Sequence, residues 1–115
     1  MNKKDLRTIL LVEDSLADAE MAMDALAEAH LANPVVHVED GVECMDYLYA
    51  RGAWASREAG DPAVILLDIK MPRMSGLDVL TRMREDERMR RIPVVILSSS
   101  REESDLARSW APAAR

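Results

Sequence analysis

Three carboxylates stand at the ends of apolar runs. Asp68 closes Val64-Ile65-Leu66-Leu67, and the pair Glu13-Asp14 closes Ile9-Leu10-Leu11-Val12. Carboxylate oxygens suit a hard divalent cation such as Mg2+, which takes one or two of them and keeps water in its other positions. Acids crowded together repel, so a cluster of three calls for a cation or a raised pKa. An open magnesium site leaves room for a phosphoryl group, and a carboxylate beside it can accept that group as an acyl phosphate. A third apolar run, Val94-Val95-Ile96-Leu97, ends in Ser98-Ser99-Ser100, and the Ser98 hydroxyl could hydrogen-bond a phosphoryl oxygen. Each residue alone has a plainer explanation, since Asp and Ser are common where strands turn. Four such groups at strand ends favour the phosphoryl site.

The elements that would position them follow from hydrophobic pattern. Short apolar runs bounded by turn formers suit strands buried on both faces of a parallel sheet. Ligands of open α/β sheets sit outside the strand carboxyl ends, where strand order reverses. The pattern predicts strands over 6–12, 35–38, 64–68 and 94–97. The first helix is expected from Leu16 to His30, opened by Ser15-x-x-Asp18 and ended by Asn33-Pro34. Its inward face would carry Ala22, Ala25, Leu26 and Ala29. Asp40-Gly41-x-Glu43 opens a second helix with Val42, Met45, Leu48 and Tyr49 inward and Gly52 as its cap. The segment 53–62 reads as a surface loop onto which Trp54 folds back. Met71-Pro72-Arg73-Met74-Ser75-Gly76 reads as a loop, and Leu77, Leu80 and Met83 mark a third helix. The charged run 82–91 is expected to be solvated. A fourth helix follows Ser100-x-x-Glu103, with Leu106 and Trp110 one turn apart, and Pro112 halts it. Strands alternating with helices predict one α/β domain over 1–115, a doubly wound parallel sheet with helices on both faces.

Composition bounds the function. The chain has 115 residues, enough for one core but not two. A formal charge of −6 argues against a nucleic-acid partner, which needs a basic patch. Cys44 is the single cysteine, so neither an intramolecular disulfide nor a cysteine-built metal site is available. It is expected to pack as a small apolar side chain. His37 reads as a partly exposed strand residue. No apolar run approaches a membrane span, and none follows Met1 as a secretion signal, so a cytoplasmic location is expected.

Leu11-Val12-Glu13-Asp14-Ser15, Leu66-Leu67-Asp68-Ile69-Lys70-Met71-Pro72, the following Gly76 and Pro93-Val94-Val95-Ile96-Leu97-Ser98 together resemble the receiver domain of bacterial two-component response regulators. The resemblance covers about 8–110. Asp14-Ser15-x-Ala17-Asp18, Asp40-Gly41-Val42-Glu43 and Tyr47-Leu48-Tyr49-x-Arg51-Gly52 are similar to stand-alone receivers that partner phytochrome-type histidine kinases. The resemblance implies a flavodoxin-like fold with strand order 2-1-3-4 and a histidine kinase as partner. It makes Asp68 the phosphoacceptor, gives Mg2+ to Glu13, Asp14 and Asp68 with the backbone carbonyl of Lys70, and makes Ser98 the switch hydroxyl.

One departure accompanies the match. Receivers continue into a fifth strand ending in Lys-Pro and a fifth helix, where this sequence has Ala111-Pro112-Ala113-Ala114-Arg115. Its lysines are Lys3, Lys4 and Lys70, so the family's phosphate-contacting lysine has no counterpart in it. A shortened domain would expose strand 94–97 as an edge and is expected to self-associate, through that strand or by exchanging its C-terminal helix. Two other functions compete with phosphoacceptance. One is a binding or assembly module that no longer depends on phosphorylation. The other is an aspartyl-phosphate hydrolase of the haloacid-dehalogenase kind, which Lys70 disfavours because those enzymes carry an acid two residues after the nucleophile.

Overall fold

The apolar runs form four parallel strands in a computed structural model that describes residues 7–69, 71 and 73–97. They are β1 (Ile9–Val12), β2 (Val35–Val38), β3 (Val64–Asp68) and β4 (Val94–Leu97). Helices α1 (Leu16–Glu28), α2 (Gly41–Tyr49) and α3 (Gly76–Arg84) connect them, with short 3-10 turns at Gly52–Trp54 and Met89–Arg91. The strand order is β2-β1-β3-β4, the flavodoxin-like arrangement. The path steps from β1 to β2 in one direction, then back across β1 to β3 and β4 in the other. Right-handed crossovers therefore put α1 on one face and α2 with α3 on the opposite face. They also place the reversal point between β1 and β3.

Register explains the core. Val36, Leu10, Ile65 and Val94 lie side by side across the sheet, and so do Val38, Val12, Leu67 and Ile96. These two rows pack with Cys44, Met45 and Leu48 of α2 and Val79 and Met83 of α3 into one cluster. Ile9 and Leu11 point to the other face and are also buried, as is Ala19 of α1. Each helix starts on a side-chain cap. Ser15 Oγ accepts from the Asp18 amide, Asp40 from that of Glu43, and Ser75 from that of Asp78. Ser75 and Asp78 cap each other reciprocally.

Several boundaries and faces differ from expectation. β1 starts at Ile9, with Arg7 and Thr8 outside it and Leu6 outside the described residues. α1 ends at Glu28, well before Asn33-Pro34. His30 turns left-handed (φ 60°), its amide donates to Ala27 O, and that of Leu31 reaches Leu26 O. Those bonds satisfy the last carbonyls and stop the helix. Its inward stripe is Ala19, Ala22, Met23 and Leu26, whereas Ala25 and Ala29 are exposed. In α2 the left-handed cap is Ala50 (φ 54°), not Gly52, which instead opens the 3-10 turn. Cys44 and Tyr47 point inward there, while Tyr49 is exposed and its hydroxyl donates to Asp86. Leu77 of α3 is exposed and Val79 takes the core position. β3 alternates between buried Ile65 and Leu67 and half-buried Val64, Leu66 and Asp68. β4 exposes Val95. The run 82–91 is not wholly solvated, because Met89 is completely buried in the core. Trp54 does fold back, edge-on to Tyr47 at 5.1 Å between ring centres. The expected fourth helix, Ser98 and the segment proposed for exchange lie outside the described residues.

Candidate functional site

The last paired residues of β1 and β3 are Val12 and Leu67, so one step further along the register sets Glu13 beside Asp68. Glu13 stays in line with β1, since its amide donates to Val38 O of β2 at 3.0 Å. Both residues continue the face that carries Leu11 and Leu66. The chain then turns into α1, and Asp14 joins them. Glu13, Asp14 and Asp68 each offer a carboxylate oxygen, and these oxygens all lie within 4.8 Å of one another. Glu13 is buried, Asp68 half-buried and Asp14 exposed. The three acids expected from the sequence thus come together.

Burial is the main reason that the Glu13 carboxyl is pushed up to about 7. The charges of Asp68, Asp18 and Asp14 push the same way, and only the Ser15 amide, donating to Glu13 Oε2 at 3.0 Å, opposes them. A buried acid held among other acids is a site that a cation would relieve. An all-oxygen, all-carboxylate set with an exposed member fits a hard divalent ion that keeps part of its water. Glu13, Asp14 and Asp68 are the residues that would hold it. Lys70 and Ser98 lie outside the described residues.

Sequence reasoning did not find the contacts that brace this rim. His37 Nε2 donates to Glu13 O at 2.7 Å, fastening the end of β2 to the acid-bearing turn. On the other side, the loop after β3 is fastened at its far end. The Gly76 amide donates to Ile69 O at 3.0 Å. A side chain at Gly76 would run into the backbone carbonyl of Asp68 and stand 2.9 Å from Ile69 Cα, so only glycine lets α3 start this close to the acid. Gly41 is equally confined, by Met74. Arg73, in a left-handed conformation (φ 68°), reaches Asp40 Oδ2 with Nε at 2.9 Å and Nη2 at 2.8 Å. The sequence did carry one trace of these contacts. Asp40-Gly41 and Gly76 stood out as turn and cap residues, but nothing paired Asp40 with Arg73.

A cleft of about 500 Å3 opens at the opposite, amino-terminal ends of the strands. It mixes Arg7, Arg88 and Arg91 with Asp61 and Glu87, and Arg88 lies 3.5 Å from Asp61. It lacks the one-signed cluster found at the carboxyl ends.

The fold and the rim together define an open α/β domain with a cluster of acids that fits a hard divalent cation where strand order reverses. The model of the response regulator receiver domain matches residues 9–114, and the chain belongs to that family. Response regulator Rcp1 of Synechocystis sp. is 33% identical over 104 residues, covering 90% of this chain and 69% of that protein. Its Mn2+-bound structure superposes with a TM-score of 0.78, over 91% of this chain and 74% of that one. The bacteriophytochrome response regulators RtBRR and AtBRR are 48% and 51% identical, with TM-scores of 0.85 and 0.86. Each match covers 92% of this chain, but it covers 64% of RtBRR and 76% of AtBRR. The phosphorylated cyanobacterial phytochrome response regulator RcpA is 40% identical with a TM-score of 0.78, over 92% of this chain and 74% of that one. Its relatives thus include regulators associated with phytochromes. Among the described residues, no helix is long and apolar enough to cross a membrane.

Proposed function

We propose that this chain is a single receiver domain that takes a phosphoryl group from a histidine kinase onto Asp68. The observation that carries the reading is the convergence of Glu13, Asp14 and Asp68 within 4.8 Å at the ends of two adjacent parallel strands. An Asp68 carboxylate oxygen forms a bond to phosphorus as the phosphorus–nitrogen bond of the donor phosphohistidine breaks. The electron pair leaves with the imidazole nitrogen, which takes a proton. Mg2+, when bound by Glu13, Asp14, Asp68 and the Lys70 carbonyl, supplies neutralising charge for the phosphoryl oxygens. Ser98 serves as the switch hydroxyl that hydrogen-bonds the product. RcpA and the bacteriophytochrome regulators support a phytochrome-type kinase as the partner.

Intact mass after incubation with a small phosphodonor and Mg2+ tests this reading. The expected result is the gain of one phosphoryl group, absent without the cation and absent in Asp68→Asn. A gain that survives Asp68→Asn would reassign the acceptor. No gain at all in the parent chain would favour a binding module that works without phosphorylation.

A further inference from the structure

The loop between β3 and α3 follows directly from the acceptor acid, so whatever fixes its backbone also fixes the approach to that acid. Its far end is locked by Gly76 against Asp68 and Ile69. Its middle is locked by a different element. Arg73 extends to Asp40, the cap of α2, and the Gly41 amide donates to Met74 O at 3.2 Å.

We propose that the Arg73–Asp40 pair is a latch that positions the β3–α3 loop for the acid site, which makes Arg73 a positioning residue. The inference rests on the metal and phosphoryl reading of Glu13, Asp14 and Asp68. Asp40 divides its two oxygens between two tasks. Oδ1 accepts from the Glu43 amide at 2.8 Å and starts α2, and Oδ2 takes both Arg73 nitrogens. The Asp40 side chain is mostly buried, with 12% exposed, whereas that of Arg73 is 60% exposed, so the pair is shielded from the Asp40 side alone. The Arg73 backbone is in a left-handed conformation, which a residue with a Cβ holds only when its surroundings enforce it. Here the enforcing contacts are the latch and the Gly41–Met74 bond. Because Gly41 has no side chain, α2 can stand close enough to the loop for both.

The test is a double-mutant cycle of Asp40→Asn and Arg73→Gln, read by Mn2+ affinity and by thermal midpoint. Asn keeps the helix cap while removing the charge. Partners that orient a metal site typically change affinity by about 10- to 100-fold when removed. Each single variant should weaken Mn2+ binding about tenfold, the low end of that range, because the latch lies one loop away from the acids. The double variant should be no weaker than the singles, since either change opens the same latch. Arg73→Gly should bind Mn2+ as weakly as Arg73→Gln although glycine tolerates the left-handed backbone, which separates the latch from backbone conformation. Unchanged affinity in Arg73→Gln, or additive losses in the double variant, would overturn the latch while leaving the acid site intact. A parent chain that binds no Mn2+ would overturn the site reading and the latch with it.

Discussion

Glu13 couples the acid cluster to stability in a way pH can read. Its carboxyl moves from 4.5, its ordinary value, to about 7 in the fold, chiefly through burial. The folded protein therefore holds the Glu13 proton more tightly than the unfolded chain does. The resulting stabilisation is fully present below about 4.5 and is lost as pH rises through 7. Without a divalent cation, the melting temperature should fall between pH 5 and pH 8, values chosen as roughly bracketing that window. Glu13→Gln should flatten this part of the profile, and Mg2+ should restore much of the loss at the alkaline end by replacing the proton. A Gln variant with the parent's slope would show that another group titrates. Cys44 gives a second residue-level test. Burial, then the Asp40 and Glu43 charges, push its thiol up to about 12. The thiolate that reacts is almost absent at neutral pH. Thiol reagents should label Cys44 only as fast as the protein unfolds, and rapid native labelling would contradict the buried placement.

At the scale of elements, the two confined glycines set how closely helices approach the site. Gly76→Ala places a methyl group against the Asp68 carbonyl, and Gly41→Ala places one 2.7 Å from Met74 Cβ. Overpacking of this kind costs about 1–3 kcal/mol. Both variants should lower stability within that range in urea titrations. Gly60→Ala, where a Cβ meets nothing within 4 Å but φ is 122°, should report backbone strain alone. If Gly76→Ala melted like the parent, α3 would not be held against the acid as described. Ser75→Ala removes one half of a reciprocal cap and should cost about 1 kcal/mol. Strand positions were the most legible part of the sequence. β3 and β4 fall on unbroken apolar runs and β2 on a run interrupted by His37, because helices cover both faces of a parallel sheet. The caps at Ser15 and Asp40 were legible too, since a hydroxyl or carboxylate three residues before an acid is a local signal. Helix ends were not. The left-handed turns at His30 and Ala50 fall on residues that are not the usual glycine caps, and local main-chain bonds back into each helix close them. Helix faces failed at Leu77 and Tyr49, where periodicity admits two neighbouring stripes and the sheet selects one. Glu13, Asp14 and Asp68 could be found because each closes an apolar run. The Arg73–Asp40 latch could not, because its partners are 33 positions apart and neither sits on a periodic face.

Across the whole molecule, the acid cluster and the seat of Met89 lie at opposite ends of the sheet. The acids sit at the strand carboxyl ends, while Met89, just before β4, closes the core near the amino-terminal ends of the strands. Met89 is fully buried although the residues around it are charged, which is why the run 82–91 looked solvated. Its amide and that of Arg88 both donate to Asp86 Oδ1, at 3.1 and 2.9 Å, and Arg88 Nη2 donates to Leu48 O at 3.0 Å. The 3-10 turn is thus tied to α2 as it seats the methionine. Truncating a buried methionine to alanine costs about 2–5 kcal/mol through lost burial and the cavity left behind. That is a large part of the roughly 5–15 kcal/mol that holds a small domain together. Met89→Ala should therefore lower the melting temperature strongly while Mn2+ affinity stays at the parent value wherever the variant is folded. Glu13→Gln should behave inversely, holding or raising stability at pH 8 without metal and weakening the ion. Independent sites add in this way only when no packed element links them. A Met89→Ala variant that remained folded but lost Mn2+ binding would show that the core transmits strain along β4 to the rim, and that the two ends work as one unit.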